Sequence, residues 1–173
     1  MTVPRIAILG AESTGKSTLA TALANRYGTV WVREYLREFV ELNARVPFEH
    51  DQLAIAQTQL EREDAAEPLA RDFLFCDTTP LMTAVYSGVY WGRVDPRLEA
   101  LALDHDYALT LVAAPDLPWV ADGLQRESAE VRLVVHQALI GRLERQGVDY
   151  ALLTGDLEQR VARTAALLGQ FNH

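Results

Sequence analysis

The 173-residue chain has a single lysine, Lys16, against 15 arginines, and a single cysteine, Cys76. One cysteine excludes an intrachain disulfide, which fits a cytoplasmic location, and reads as a small buried hydrophobe. With Lys16 committed to the motif below, no lysine is left for a guanine-reading Asn/Thr-Lys-x-Asp segment, so GTPases of that type are excluded. Basic residues number 16 against 24 acidic ones, and a net charge of −8 leaves no basic stripe for a nucleic-acid partner. No apolar stretch is long enough to span a membrane, the N-terminus lacks a signal-peptide pattern, and no Cys/His cluster has zinc spacing. Repeats, low-complexity tracts and long linkers are missing too. What remains is ordinary globular composition, 49% hydrophobic and 23% charged, at a length suited to one domain over residues 1–173.

The lone lysine lies in Gly10-Ala11-Glu12-Ser13-Thr14-Gly15-Lys16-Ser17-Thr18, a match to the P-loop G-x-x-x-x-G-K-[ST]. Its glycines let backbone N–H groups close around phosphate oxygens, Lys16 reaches the β/γ-phosphates, and the Ser17 hydroxyl can ligate Mg²⁺. A compact ammonium suits that cradle better than the planar fork of Arg. An apolar run, Pro4 to Leu9, precedes the loop, and Leu19, Ala20, Leu23, Ala24 and Tyr27 follow at helical spacing until Gly28. Strand, loop and helix in that order predict ATP binding through Gly10, Ser13, Thr14, Gly15, Lys16, Ser17 and Thr18.

Apolar runs predict five strands, over 4–9, 29–33, 73–76, 108–113 and 149–153. Helical patterns fill 17–27, 34–44, 49–70, 80–91, 96–103, 128–146 and 157–169. This alternation predicts an α/β P-loop NTPase fold, a five-stranded parallel sheet with helices on both faces. Ligands gather at the carboxyl ends of such strands, so the residues there carry the functional argument.

Strand 3 ends in Asp77-Thr78-Thr79. Asp77 either holds Mg²⁺, as an acid after an apolar strand does in P-loop enzymes, or caps the helix opening at Pro80. Strand 2 ends in Arg33-Glu34-Tyr35. Glu34 either orients and deprotonates an acceptor hydroxyl or sits solvated in a first helical turn; Glu12, at a variable loop position, is the weaker base. Beyond strand 4, two prolines and Gly123 break regular structure from about 116 to 132. That stretch reads as a lid carrying Arg126 and Arg132 to the transferring phosphoryl group, or as an ordinary surface loop. Gly155 and Asp156 after strand 5 border the nucleotide or form a turn and helix cap. Tyr86, Tyr90 and Trp91 either stack on a flat substrate or belong to core and helix end, and Trp31, Phe48 and Trp119 share that ambiguity. Asp104-His105-Asp106, away from the active edge, reads as a solvated loop.

A mechanochemical or AAA-type ATPase needs more chain, a sensor region and oligomeric arginine fingers, whereas a small-molecule kinase needs only the parts above. Taken in order, the P-loop, Arg33-Glu34-Tyr35-Leu36-Arg37-Glu38-Phe39, Phe75-Cys76-Asp77-Thr78 and Trp119-Val120-Ala121-Asp122-Gly123 resemble the ribosylnicotinamide kinase domain of the bacterial NAD-biosynthesis regulators. The likeness covers nearly the whole chain. It implies transfer of a phosphoryl group from ATP, with Mg²⁺, to the 5′-hydroxyl of nicotinamide riboside. It also implies substrate contacts from Glu34, Tyr35, Arg37, Asp77, Tyr86, Tyr90, Trp91 and Asp122. The alternatives are a kinase for another nucleoside or vitamin, or a non-catalytic ATP-binding regulator. Many relatives carry a second Asp where this chain has Thr79, and their lid reads Asp-Gly-x-Arg, whereas here Gln125 intervenes before Arg126. The family's DNA-binding and adenylyltransferase parts have no counterpart in these residues, so neither activity is expected.

Overall fold

The computed structural model describes residues 2–121 and 128–171. Five strands, β1 (Arg5–Leu9), β2 (Trp31–Val32), β3 (Leu74–Asp77), β4 (Leu109–Ala113) and β5 (Ala151–Leu153), form one sheet in the order β2-β3-β1-β4-β5. Every pairing is parallel. The connections are built on α1 (Lys16–Tyr27), α2 (Tyr35–Asn43), α3 (Gln52–Ala66), α4 (Pro80–Trp91), α5 (Pro96–Leu103) and α6 (Ala129–Gln146), with α7 (Leu157–Leu168) following β5. From β1 the chain passes over β3 to reach β2, and from β3 it passes over β1 to reach β4. The order therefore reverses around β1, and a crevice opens at the carboxyl ends beside it.

Alternation along β1 divides the core into two layers. Ile6 and Ile8 pack with Leu19, Leu23, Phe75 and Leu168 under α1 and α7, whereas Ala7 and Leu9 pack with Leu81, Met82, Leu98 and Leu139 under α4, α5 and α6. These side chains are closed off from solvent, and each Leu or Ile contributes about 2 kcal/mol. Helix α4 is buried from Pro80 through Ser87. Tyr86 therefore belongs to the core at 2% exposure, stacked on Tyr90 with ring centroids 6.1 Å apart. Cys76 is buried, as its sequence context predicts.

The edge strands are shorter than the sequence pattern predicts: 29–33 contracts to Trp31–Val32 and 149–153 to Ala151–Leu153. Each has a neighbour on one side alone, so fewer residues find ladder partners. The helix predicted over 49–70 is α3 flanked by 3₁₀ turns at Glu49–Asp51 and Glu67–Leu69. Pro68 lies in the second turn and cannot continue an α-helical ladder. In the loop predicted to be solvated, Asp104 and Asp106 are exposed. His105 instead turns inward, with its ring 4.5 Å from Tyr107 and Nε2 2.9 Å from Thr110 Oγ1. Burial pushes the His105 imidazole down to about 4. No helix among the described residues is long and apolar enough to cross a membrane.

Candidate active site

The loop between β1 and α1 takes its shape from residues that leave room for backbone. Gly10 has φ 151°, and a Cβ there would meet Thr14 Oγ1 at 2.9 Å and Ala113 O at 3.0 Å. Gly15, at φ 85°, caps α1 in the left-handed region. Ser13 holds φ 59° without being glycine, a local strain kept by its surroundings. Thr14 Oγ1 and Lys16 Nζ both donate to the Ala11 carbonyl, at 2.7 and 2.9 Å. The first turn of α1 carries no acidic residue. Its unpaired N–H groups and positive dipole end are thus uncancelled, a site suited to phosphate. Residues 13–18 all line one cavity of about 1200 Å³.

Two buried arginines support this loop from behind. Arg132, in the first turns of α6, is 7% exposed; its Nη1 donates to Ser13 O at 3.1 Å, and its Nε has no partner among the described residues. The lid range expected over 116–132 thus becomes helical at Ala129, with Ser128 Oγ accepting from Val131 N as the cap. Arg160, on α7, is 1% exposed and goes unremarked in the sequence, where it reads as one more helical arginine. Its guanidinium donates to Thr14 O at 2.6 Å, Ala114 O at 3.0 Å and Gly155 O at 3.0 Å, and pairs with the Asp116 carboxylate. Asp116 also accepts from Gly155 N at 2.7 Å. One side chain thereby joins the phosphate loop, the end of β4 and the loop after β5. Asp156 does not line the cavity; its carboxylate accepts from Gln159 N at 2.9 Å and caps α7, and Gly155 is likewise outside the lining.

Asp77 ends β3 at 2% exposure, and Thr79, not Asp77, occupies the cap position of α4. Burial, then the charge of Glu34, pushes the Asp77 carboxyl up to about 7, with Lys16 and Arg37 pulling it back. The next residue, Thr78, has φ 75°, a strained value for a β-branched side chain, and its hydroxyl lies 3.4 Å from Asp77 Oδ1. Glu34 caps α2 by its backbone alone, so its carboxylate is not spent on a capping hydrogen bond. Two acids facing one cavity repel each other, and a divalent cation between them and a phosphate relieves that repulsion. Among the described residues no group of three or more His, Cys, Asp or Glu could hold a metal. Mg²⁺ takes one or two protein oxygens and otherwise water and phosphate oxygens, so a site for it does not require such a group.

The cavity continues past these acids to a wall made by α2 and the turn after it. Arg37, Val40, Glu41, Ala44, Val46 and Pro47 line it, facing Leu117, Pro118, Val120 and Ala121 of the connection beyond β4. Val120 N donates to Ser13 Oγ at 2.9 Å, bringing that connection onto the phosphate loop. Tyr35, Tyr86, Tyr90 and Trp91 are not in the lining, whereas Trp31 is. Tyr35 instead packs edge-on against Phe39, and Arg62 lies 4.8 Å over its ring. Asp122, Gly123, Gln125 and Arg126 fall outside the described residues.

A family profile described as an AAA domain matches residues 5–160. The trifunctional NAD biosynthesis/regulator protein NadR of Salmonella typhimurium is 30% identical over 174 aligned positions, and that of Escherichia coli K12 is 31% identical. Both alignments take in 96% of this chain but 42% of the relative, so the chain spans less than half the length of these curated relatives. A crystal structure of NadR protein in complex with NR matches with a TM-score of 0.79 at 22% identity, over 95% of this chain and 50% of that one. A NadR complex with NAD and AMP-PNP gives 0.81 at 21% identity, over 96% and 50%. Thymidylate kinase from Candida albicans gives 0.71 at 13% identity, over 98% and 92%. At these identities the structural likenesses show the fold alone, the α/β P-loop fold.

Proposed function

The chain belongs to the AAA-domain family matched over residues 5–160, a match that does not make it a mechanochemical ATPase, and we propose that it is a kinase transferring a phosphoryl group from ATP to the 5′-hydroxyl of nicotinamide riboside. The observation that carries this reading is that one continuous cavity spans both ends of the site. One end is the phosphate loop, the other is the α2 wall, and Asp77 and Glu34 both line it. A motor ATPase needs the donor end alone; a second wall with its own charged and apolar groups suits an acceptor molecule. The NadR relatives, named for NAD biosynthesis, support the choice of acceptor.

In this reading Lys16 and the N–H groups of residues 13–18 bind the β/γ-phosphates. Glu34 orients the acceptor hydroxyl and takes its proton, with Asp77 as the competing base. Arg132, buried beside Ser13 with its Nε unpartnered among the described residues, adds positive charge next to the phosphates. Arg126 and Asp122 complete the proposal as lid and substrate contacts. Arg37 lines the acceptor end, where it suits a ribose or its product phosphate. Mg²⁺, held by Ser17 and Asp77, would supply charge neutralisation between the phosphates. A cytoplasmic, single-domain enzyme acting on a small nucleoside, without nucleic acid or membrane partner, is part of the same proposal.

The test is ADP formation by purified protein with Mg·ATP and a panel of nucleosides and vitamins that includes nicotinamide riboside. Acceptor-dependent ADP, fastest with nicotinamide riboside, is expected. A faster rate with another member would reassign the acceptor. No acceptor-dependent ADP with any member, together with tight ATP binding, would replace the kinase reading with a regulatory one.

A further inference from the structure

The strand pairing between β2 and β3 stops at Val32 and Cys76. The next residues in register are Arg33 and Asp77, the positions from which the two acids of the cavity project or are approached. There the sheet's own hydrogen bonds give way to one side chain of α3. Gln59 is 2% exposed; its Nε2 donates to Arg33 O at 3.3 Å and to Asp77 O at 3.4 Å, and its Oε1 accepts from Tyr35 N at 2.8 Å. Both amide hydrogens are used, and the orientation of the amide follows from its partners. The contacts to Arg33 O and Tyr35 N bracket Glu34 from either side, and the contact to Asp77 O ties that bracket to the neighbouring strand.

We propose that Gln59 is the positioning residue of the acceptor site, setting the spacing between the Glu34 and Asp77 backbones without touching substrate. This rests on the kinase reading above. Helix α2 contains no buried residue, so the packing that usually fixes a helix is weak where Glu34 needs it. A buried amide with three directional bonds supplies the missing constraint. A misplacement on the order of 1 Å at a reacting group costs on the order of 100-fold in rate, which makes such a bracket a kinetic element as well as a structural one.

The experiment compares Gln59→Met, which keeps the length and loses all three bonds, with wild type, Glu34→Gln and the double variant. We expect kcat to fall on the order of 100-fold in Gln59→Met with KM for ATP unchanged. The same substitution on the Glu34→Gln background should have little further effect, since residues acting through one another are non-additive. A loss below about 3-fold, or a loss that multiplies independently of Glu34, overturns the assignment. Should Gln59→Met fail to fold, Tyr35→Pro breaks the bracket from the backbone side, because proline is tolerated at the first position of a helix and lacks only the N–H. It should be markedly slower than Tyr35→Ala, and equal rates overturn the proposal. If wild type turns over no nucleoside at all, the kinase reading falls, and amide exchange decides the bracket separately. The Tyr35 N–H should exchange faster in Gln59→Met while the β1 amides stay protected; unchanged Tyr35 exchange shows that the bracket does not exist.

Discussion

On the donor side of the cavity, the phosphate loop hangs from buried cations: Arg160 on Thr14 O, Arg132 on Ser13 O, and Lys16 folded onto Ala11 O. On the acceptor side, α2 offers no buried residue and is tied down by the Gln59 amide and by the half-exposed pairing of Glu38 with Arg62. One half is fixed before any ligand arrives; the other is held by a few directional contacts over an open wall. The contrast matches what each half would bind in the proposed reaction. Triphosphate is a constant shape that rewards a rigid cradle. An acceptor must enter, be oriented and leave phosphorylated, which favours a wall of low local stability.

The sharpest break of this comparison removes the donor charge itself. Lys16→Met is expected to lower kcat/KM about 1,000-fold, an effect of the size seen when a preorganised charge is lost from a transition state. Steady-state ADP assays read it, with circular dichroism checking that the fold persists. Next, Arg160→Met should make the donor side behave like the acceptor side. It bares three carbonyls that lose bonds from a charged donor, for a loss on the order of 3 kcal/mol in urea unfolding, while the exposed Asp116 carboxylate stays hydrated. Amides of the phosphate loop should then lose exchange protection.

A third test uses pH on α3, the helix that carries Gln59. Burial pushes the Glu63 carboxyl up to about 7, while the hydrogen bond from Tyr107 pulls the other way. The folded state thus keeps its proton where the unfolded state, near the ordinary 4.5, has lost it. Stability from this group is whole below about pH 4.5 and declines as pH rises to about 7, by roughly 3 kcal/mol. Asp77 titrates in the same direction, so the difference between wild type and Glu63→Gln across that window isolates Glu63. The smallest effect is Arg62→Met. The exposed pairing with Glu38 should leave the thermal midpoint within about 2 °C, while KM for the acceptor rises a few-fold as α2 loosens.

The strands, their parallel pairing and the phosphate loop were legible in the sequence because each rests on local pattern: apolar runs of strand length, and glycines at fixed offsets from Lys16. Arg160 and Gln59 were not, because their meaning comes from carbonyls supplied by segments far along the chain. Arg160 reaches Thr14 across 146 positions. In α3 a weak signal did exist. Its buried stripe runs Gln52, Ile55, Ala56, Gln59 and Glu63, and polar residues at stripe positions point to bonds that have to be found elsewhere. The aromatic run Tyr86-Ser87-Gly88-Val89-Tyr90-Trp91 shows the opposite case: core and substrate platform look alike in sequence, and Tyr86 falls in the core. Asp156, expected at the nucleotide, caps α7, the second reading its Gly-Asp context allowed.

Lys16 carries the chain's one side-chain amine and is 6% exposed, its Nζ turned onto the Ala11 carbonyl. An amine-directed acylating reagent therefore has a single internal target, apart from the α-amino terminus. Whatever occupies the phosphate loop shields that target. Occupancy becomes a count of adducts in an intact mass spectrum, and the protein carries its own stoichiometric label for the site on which the proposed chemistry depends.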